Sequence, residues 1–209
     1  AVGNFFPIFK GGNTLPSIIV ASILLWGVHF LILRGVETAA FINSIVTVAK
    51  LIPIFLVIIC MIVVFNFSTF KSGFYGMTSG SVGVFSWGDT MAQVKSTMLV
   101  TVWVFTGIEG AVVFSGRAKS KKDVGTATVI GLISVLVIYF LMTVLAQGVI
   151  QQNQISKLAN PSMAQVLEHI VGHWGSILVN IGLIISVLGA WLGWTLLAGE
   201  LPFIVAKDG

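Results

Sequence analysis

Five apolar runs divide the chain, and the breaks between them are short, polar or rich in glycine. About 20 apolar residues in helical form cross a hydrocarbon core of about 30 Å. The pattern therefore predicts spanning helices at Leu15–Leu33, Phe41–Phe65, Asp89–Gly116, Val124–Gly148 and Trp174–Leu197. Ala1–Asn13 reads as a lead-in ending on the breaker Gly11-Gly12-Asn13. Asn66–Gly88 reads as a polar Gly/Ser/Phe loop, and Pro161–Val171 as a short interfacial helix. Asp89 is a candidate cap for the third helix.

The third run is the anomalous one. It holds Val-Trp-Val-Phe-Thr-Gly-Ile-Glu-Gly at Val102–Gly110, with two glycines and a carboxylate at its waist. Glycine is a weak helix former, and an ionised Glu is costly in hydrocarbon. Irregular backbone at membrane depth survives only where protein or water covers it, and transporters place such interruptions at ligand sites. The run is expected to break near Trp103–Gly107, between halves Asp89–Val102 and Ile108–Gly116. An unbroken glycine-containing helix packed closely on a neighbour is the alternative.

Polar positions in two other runs follow helical spacing. In the second, Asn43, Thr47 and Lys50 share one face, with Ser44 beside it and Pro53 a candidate kink. Lys50 lies too far from either end to snorkel, so this face should turn inward. In the fifth, Gly182, Ser186, Gly189 and Gly193 make a small-residue face that admits another backbone. Trp191 and Trp194 fall toward the end of that run, where an interfacial belt would explain both. A Trp between Gly193 and Thr195 is also a stacking platform for a cation. His29 and the other scattered histidines receive no role.

Composition agrees with a polytopic membrane protein. Of 209 residues, 56% are hydrophobic and 9% charged, against about 25% charged in soluble domains. The formal charge of +4 gives no reason to expect a nucleic-acid partner. A lone Cys60 rules out an internal disulfide framework. No metal, cofactor or catalytic constellation is expected. The basic loop Arg117–Asp123 suits anionic lipid or serves as a topology signal. Arg34, Arg117, Lys119, Lys121, Lys122 and Lys207 fall on one side, and Lys10, Lys71 and Lys157 on the other. The positive-inside rule puts the first set in the cytoplasm, with the termini on opposite faces. The start at Ala1 and the stop at Gly209 are expected to mark an interior piece of a longer protein.

Three stretches resemble the amino acid–polyamine–organocation superfamily, in its basic amino acid antiporter subgroup. They are Trp103-Val-Phe-Thr-Gly-Ile-Glu109-Gly, Gly116-Arg117-Ala-Lys-Ser-Lys-Lys-Asp123 and Leu192-Gly193-Trp194-Thr195-Leu-Leu-Ala-Gly199-Glu200. The resemblance is nearest to the bacterial arginine/ornithine exchangers. It implies an all-α integral membrane protein with a five-plus-five inverted repeat, in which residues 1–209 form part of one transmembrane domain holding helices four to eight. It implies alternating-access exchange of cationic amino acids in a bacterial inner membrane, with no covalent chemistry. Trp103 then matches the aromatic that closes over substrate, with Thr106 and Gly107 at the binding break. Glu109 matches an acid tied to gating or proton sensing, and Trp194 the Trp that stacks on the cationic side chain. Lys50 matches a lysine that stands in for a driving cation, with Ser186 among its acceptors. The arginine/agmatine exchangers lack that lysine.

The expected partners are an amino acid and the bilayer, with a homodimer as a further expectation. Proton-coupled uptake of lysine or another cationic amino acid is the alternative function. A channel or accessory membrane subunit is a third reading.

Overall fold

The computed structural model describes residues 1–74, 77, 78, 81, 82, 85–108, 110–118 and 120–208. Glu109 and Lys119 lie outside the described residues. Helices dominate: α1 Val2–Phe5, α2 Leu15–Leu33, α3 Val36–Val64, α4 Phe67–Gly73, α5 Trp87–Phe105, α6 Gly110–Val113, α7 Lys121–Val149, α8 Gln152–Ile155, α9 Ser162–Val171 and α10 His173–Asp208. Short 3₁₀ turns follow α1 and α6. Two two-residue strands, β1 (Met77–Thr78) and β2 (Ser81–Val82), pair antiparallel with Met77 opposite Val82.

Four helices among the described residues are long and apolar enough to cross a membrane: α2, α3, α7 and α10. The third expected span falls short of that standard. Gly88, Asp89, Gln93 and Lys95 load the first half of α5 with polar groups, and the interruption that follows separates it from the apolar residues beyond. Lys95, absent from the loop-charge count above, sits inside this helix.

Several ends differ from the sequence expectation, each for a local reason. Ser86 caps α5, accepting from the Asp89 amide at 3.4 Å, so the helix starts at Trp87 and Asp89 lies in its positive first turn. Ser120 caps α7 by accepting from the Lys122 amide at 3.2 Å, which draws Lys121 and Lys122 into the helix. The turn before α3 shrinks to Arg34-Gly35, with Gly35 at φ +149°. α3 runs unbroken past Pro53, and α10 continues past Leu197 through Pro202 to Asp208.

The chain forms two compact units, residues 1–57 with 163–209, and residues 58–162. In the first, α3 and α10 pack antiparallel along glycines. A Cβ built on Gly182 would lie 2.5 Å from Pro53 Cγ, and one on Gly189 would overlap Val46. Asn180 is buried on α10; its Nδ2 donates to Ser176 O at 2.8 Å and its Oδ1 accepts from Asn4 at 2.9 Å. α9 buries Ala164, Val166 and Leu167, and Leu167 and Val171 close over Gly175 of α10. At that corner His173 Nδ1 lies 3.1 Å from Glu168 Oε1. Hydrogen bonds from His173 and Ser176 hold the Glu168 carboxyl below its ordinary range.

In the second unit α4 and α7 meet. The Asn66 amide donates to Gly148 O at 2.9 Å, and the Phe65 ring fills the space a Gly148 side chain would need. The apolar surface of the spanning helices faces outward in both units: α2 buries none of its apolar window. Such surface is untenable in water and natural against hydrocarbon.

Candidate substrate site

α5 ends at Phe105. Thr106 then turns extended, at φ −65° and ψ +131°, and Gly107 takes φ +103°. A side chain at that φ is strained, so Gly is the residue that permits the reversal. The chain resumes as α6 at Gly110, where the Gly110 amide donates to Gly107 O at 3.0 Å. The interruption thus begins at Thr106, three residues after the expected start at Trp103. Trp103 belongs to the last turn of α5 and is 77% exposed.

Thr106 secures the end of α5. Its amide donates to Trp103 O at 3.2 Å and its hydroxyl to Val102 O at 3.3 Å. The C-terminal end of a helix carries partial negative charge and suits an ammonium group. The segment beyond the break differs from the expected half-helix: α6 has four residues and passes into the 3₁₀ turn Phe114–Arg117. So short a segment does not supply the positive helix end that a substrate carboxylate would want.

A groove of about 330 Å³ opens beside the break. Val104, Ile108 and Ala111 form one wall, and Thr128, Gly131 and Tyr139 of α7 another. The sequence pattern gives α7 no expected role. The signal present was small residues four apart, Ala127 and Gly131, the spacing that admits close neighbours.

The second cluster lies on the α3–α10 seam. Gly193 faces the Asn43 amide, Gly189 faces Val46, and Gly182 faces Pro53. The contacts step in opposite directions along the two helices. Lys50, between Val46 and Pro53, therefore falls level with Ser186, between Gly189 and Gly182. Both are half-buried. Trp194 follows Gly193 and is 51% exposed. It stands 20 residues from Trp174, about 30 Å along the helix, which is the spacing of a two-sided belt. It also stands 14 residues before Asp208, so it is no terminal residue of α10.

The structure gathers Trp103, Thr106 and Gly107 in one unit, and Lys50, Ser186 and Trp194 in the other. Glu109 falls outside the described residues. Among the described residues no cluster of three or more His, Cys, Asp or Glu could hold a metal.

An amino acid permease family matches residues 1–209. The chain is 52% identical over 207 residues to an arginine/ornithine antiporter of Pseudomonas aeruginosa, covering 99% of this chain and 42% of that protein. It is 48% identical to an arginine/ornithine antiporter of Latilactobacillus sakei and 48% identical to an arginine/agmatine antiporter of Chlamydia felis, covering all of this chain and 43% of each. The chain thus spans less than half the length of these relatives. No solved structure gives a significant match.

Proposed function

Since the chain belongs to the amino acid permease family and is a multi-pass membrane protein, we propose that it is part of an inner-membrane exchanger of cationic amino acids, arginine and ornithine foremost. The observation that carries this reading is the helix interruption at Thr106-Gly107. It turns the partially negative C-terminal end of α5 toward a substrate ammonium, in a chain whose relatives are named as arginine antiporters. Trp103, on the last turn before the break, caps the bound amino acid. Trp194 stacks on its cationic side chain. Glu109 supplies the response to pH. Lys50, level with Ser186 on the seam, supplies the positive charge that a driving cation would otherwise bring. Exchange proceeds by alternating access, and no bond in the substrate is broken.

Counterflow in proteoliposomes of the full-length protein tests this. Internal arginine should drive uptake of labelled ornithine, and empty vesicles should take up little. Equal uptake with and without internal substrate would point to a channel or uniporter. Uptake driven by an imposed proton gradient alone would point to proton-coupled lysine permease activity.

A further inference from the structure

From the placement of α4 we infer that Phe67–Gly73 is a membrane anchor, its aromatic row lying in the headgroup–acyl boundary of the non-cytoplasmic leaflet. α4 is pinned at the level where two spanning helices end. α3 stops at Val64 and α7 at Val149. The Asn66 amide bonds to Gly148 O, the Phe65 ring packs on Gly148, and Gly73 lies against Gln152. The two ends of α4 are therefore held to the end of α7 and the start of α8.

Phe67, Phe70 and Phe74 recur at intervals of three and four residues and share one face. Their rings form a chain, with centroids 6.4 Å and 5.3 Å apart, and Phe65 joins it at 5.7 Å from Phe70. Phe67 is 69% exposed and Phe74 57%. Ser72 lies on the other face, with its hydroxyl bonded to Thr69 O. Lys71 flanks the row and is exposed, the position from which a lysine stem lies along acyl chains while its ammonium reaches phosphate. Asn66 Oδ1 accepts from the Ser68 and Thr69 amides, removing two helix-end donors that a poorly hydrated boundary would not satisfy.

Lipid is the occupant because the row continues the exposed apolar surface of a helix long and apolar enough to span a membrane. Ile62, Val63 and Val64, the last turn of α3, are 54%, 78% and 47% exposed. At the start of α5, Phe85 and Trp87 add two more exposed rings, 5.7 Å apart, as in an interfacial aromatic belt.

The test uses the full-length transporter in liposomes, with its other cysteines replaced and a nitroxide label at Phe67→Cys or, separately, Ser72→Cys. Retained substrate binding by each labelled protein certifies the fold. Collisions with oxygen, which concentrates in lipid, should exceed collisions with a water-soluble nickel complex severalfold at position 67, and the order should reverse at position 72. Greater nickel access at 67 than at 72 would overturn the anchor. A label at 67 immobilised and hidden from both reagents would place protein over the row, and would equally overturn it.

Discussion

Pro53 of α3 occupies the space that a side chain on Gly182 of α10 would need: a Cβ there would lie 2.5 Å from Pro53 Cγ and 3.0 Å from its Cβ. The proline ring is rigid and cannot swing aside. Gly182→Ala therefore has to spread the seam, at a cost of about 1–3 kcal/mol. Gly193→Ala meets the Asn43 amide at 3.8 Å, an ordinary contact, and should be tolerated. Thermal unfolding of the full-length protein in detergent should rank Gly182→Ala well below both Gly193→Ala and wild type. Equal stability of the two variants would mean that the seam is looser than this packing.

The stacking role of Trp194 meets a direct rival in its own geometry, since Trp174 and Trp194 stand about one hydrocarbon thickness apart along α10. A desolvated cation–π contact is worth about 2 kcal/mol, or about thirtyfold in affinity. Trp194→Leu should weaken arginine binding by that order, as read by calorimetry, while Trp174→Leu leaves it unchanged. Unaltered affinity in Trp194→Leu would assign both residues to the belt.

At the α9–α10 corner, Glu168 accepts from His173, and its carboxyl is held below the ordinary range by bonds from His173 and Ser176. A carboxyl lowered in the folded state stabilises that state above its unfolded pKa, and the contribution is lost as pH falls through the lowered value. The groups that meet the Glu168 carboxyl here are His173 and Ser176. Amide protection across Gly172 and Gly175, corrected for intrinsic exchange, should hold at neutral pH and weaken below the ordinary carboxylate range. Glu168→Gln should remove that dependence. Because the pair is solvent-exposed the effect should be small, and identical pH profiles would show that α9 is held by Leu167 and Val171 alone.

How much of this was legible in the sequence depended on what kind of force set each boundary. The start and end of α2 coincide with the apolar run, because hydrocarbon length alone fixes them. The starts of α5 and α7 do not, because Ser86 and Ser120 recruit polar residues into the first turn through single hydrogen bonds. α10 overran Leu197 because Leu201, Phe203, Ile204 and Val205 continue its apolar pattern and Pro202 does not stop it. The break itself is legible in Thr106-Gly107, but it starts later than the sequence suggests, because Trp103 still belongs to the last turn of α5. α4 was unreadable as a helix, since a seven-residue segment carries too little periodicity, and its position depends on Gly148 some 75 residues later. The pairing of Lys50 with the level of Ser186 required knowing which small-residue face met which helix, a tertiary fact.

Glu109 stands two residues beyond Gly107 in the sequence, and an acid at membrane depth is a candidate for proton exchange. Glu109→Gln should leave exchange near wild-type rates at its optimum and flatten the dependence of exchange on pH. A mutant that keeps the full wild-type pH profile in proteoliposomes would reduce Glu109 to a structural hydrogen-bonding residue.

The proposed role of Lys50 bears on the coupling. Lys50 is half-buried on the α3–α10 seam at the level of Ser186, whose hydroxyl is a candidate acceptor for its ammonium. An ammonium brings three donors, and a strut role requires acceptors for them on the two helices. A permanently charged Lys50 would act as a fixed strut between the helices, and exchange would then need no sodium. Rates should therefore match in sodium and choline buffers. Lys50→Ala should reduce exchange by about five- to a hundredfold, since one unsatisfied buried polar site costs about 1–3 kcal/mol and 1.4 kcal/mol is a factor of ten. Folding must be checked separately, by retained arginine-dependent thermal stabilisation. Sodium-stimulated exchange in the wild type would contradict the strut. A proton flux that accompanies substrate in the wild type and vanishes in Lys50→Ala would instead make this lysine the proton carrier, and the protein a proton-coupled permease.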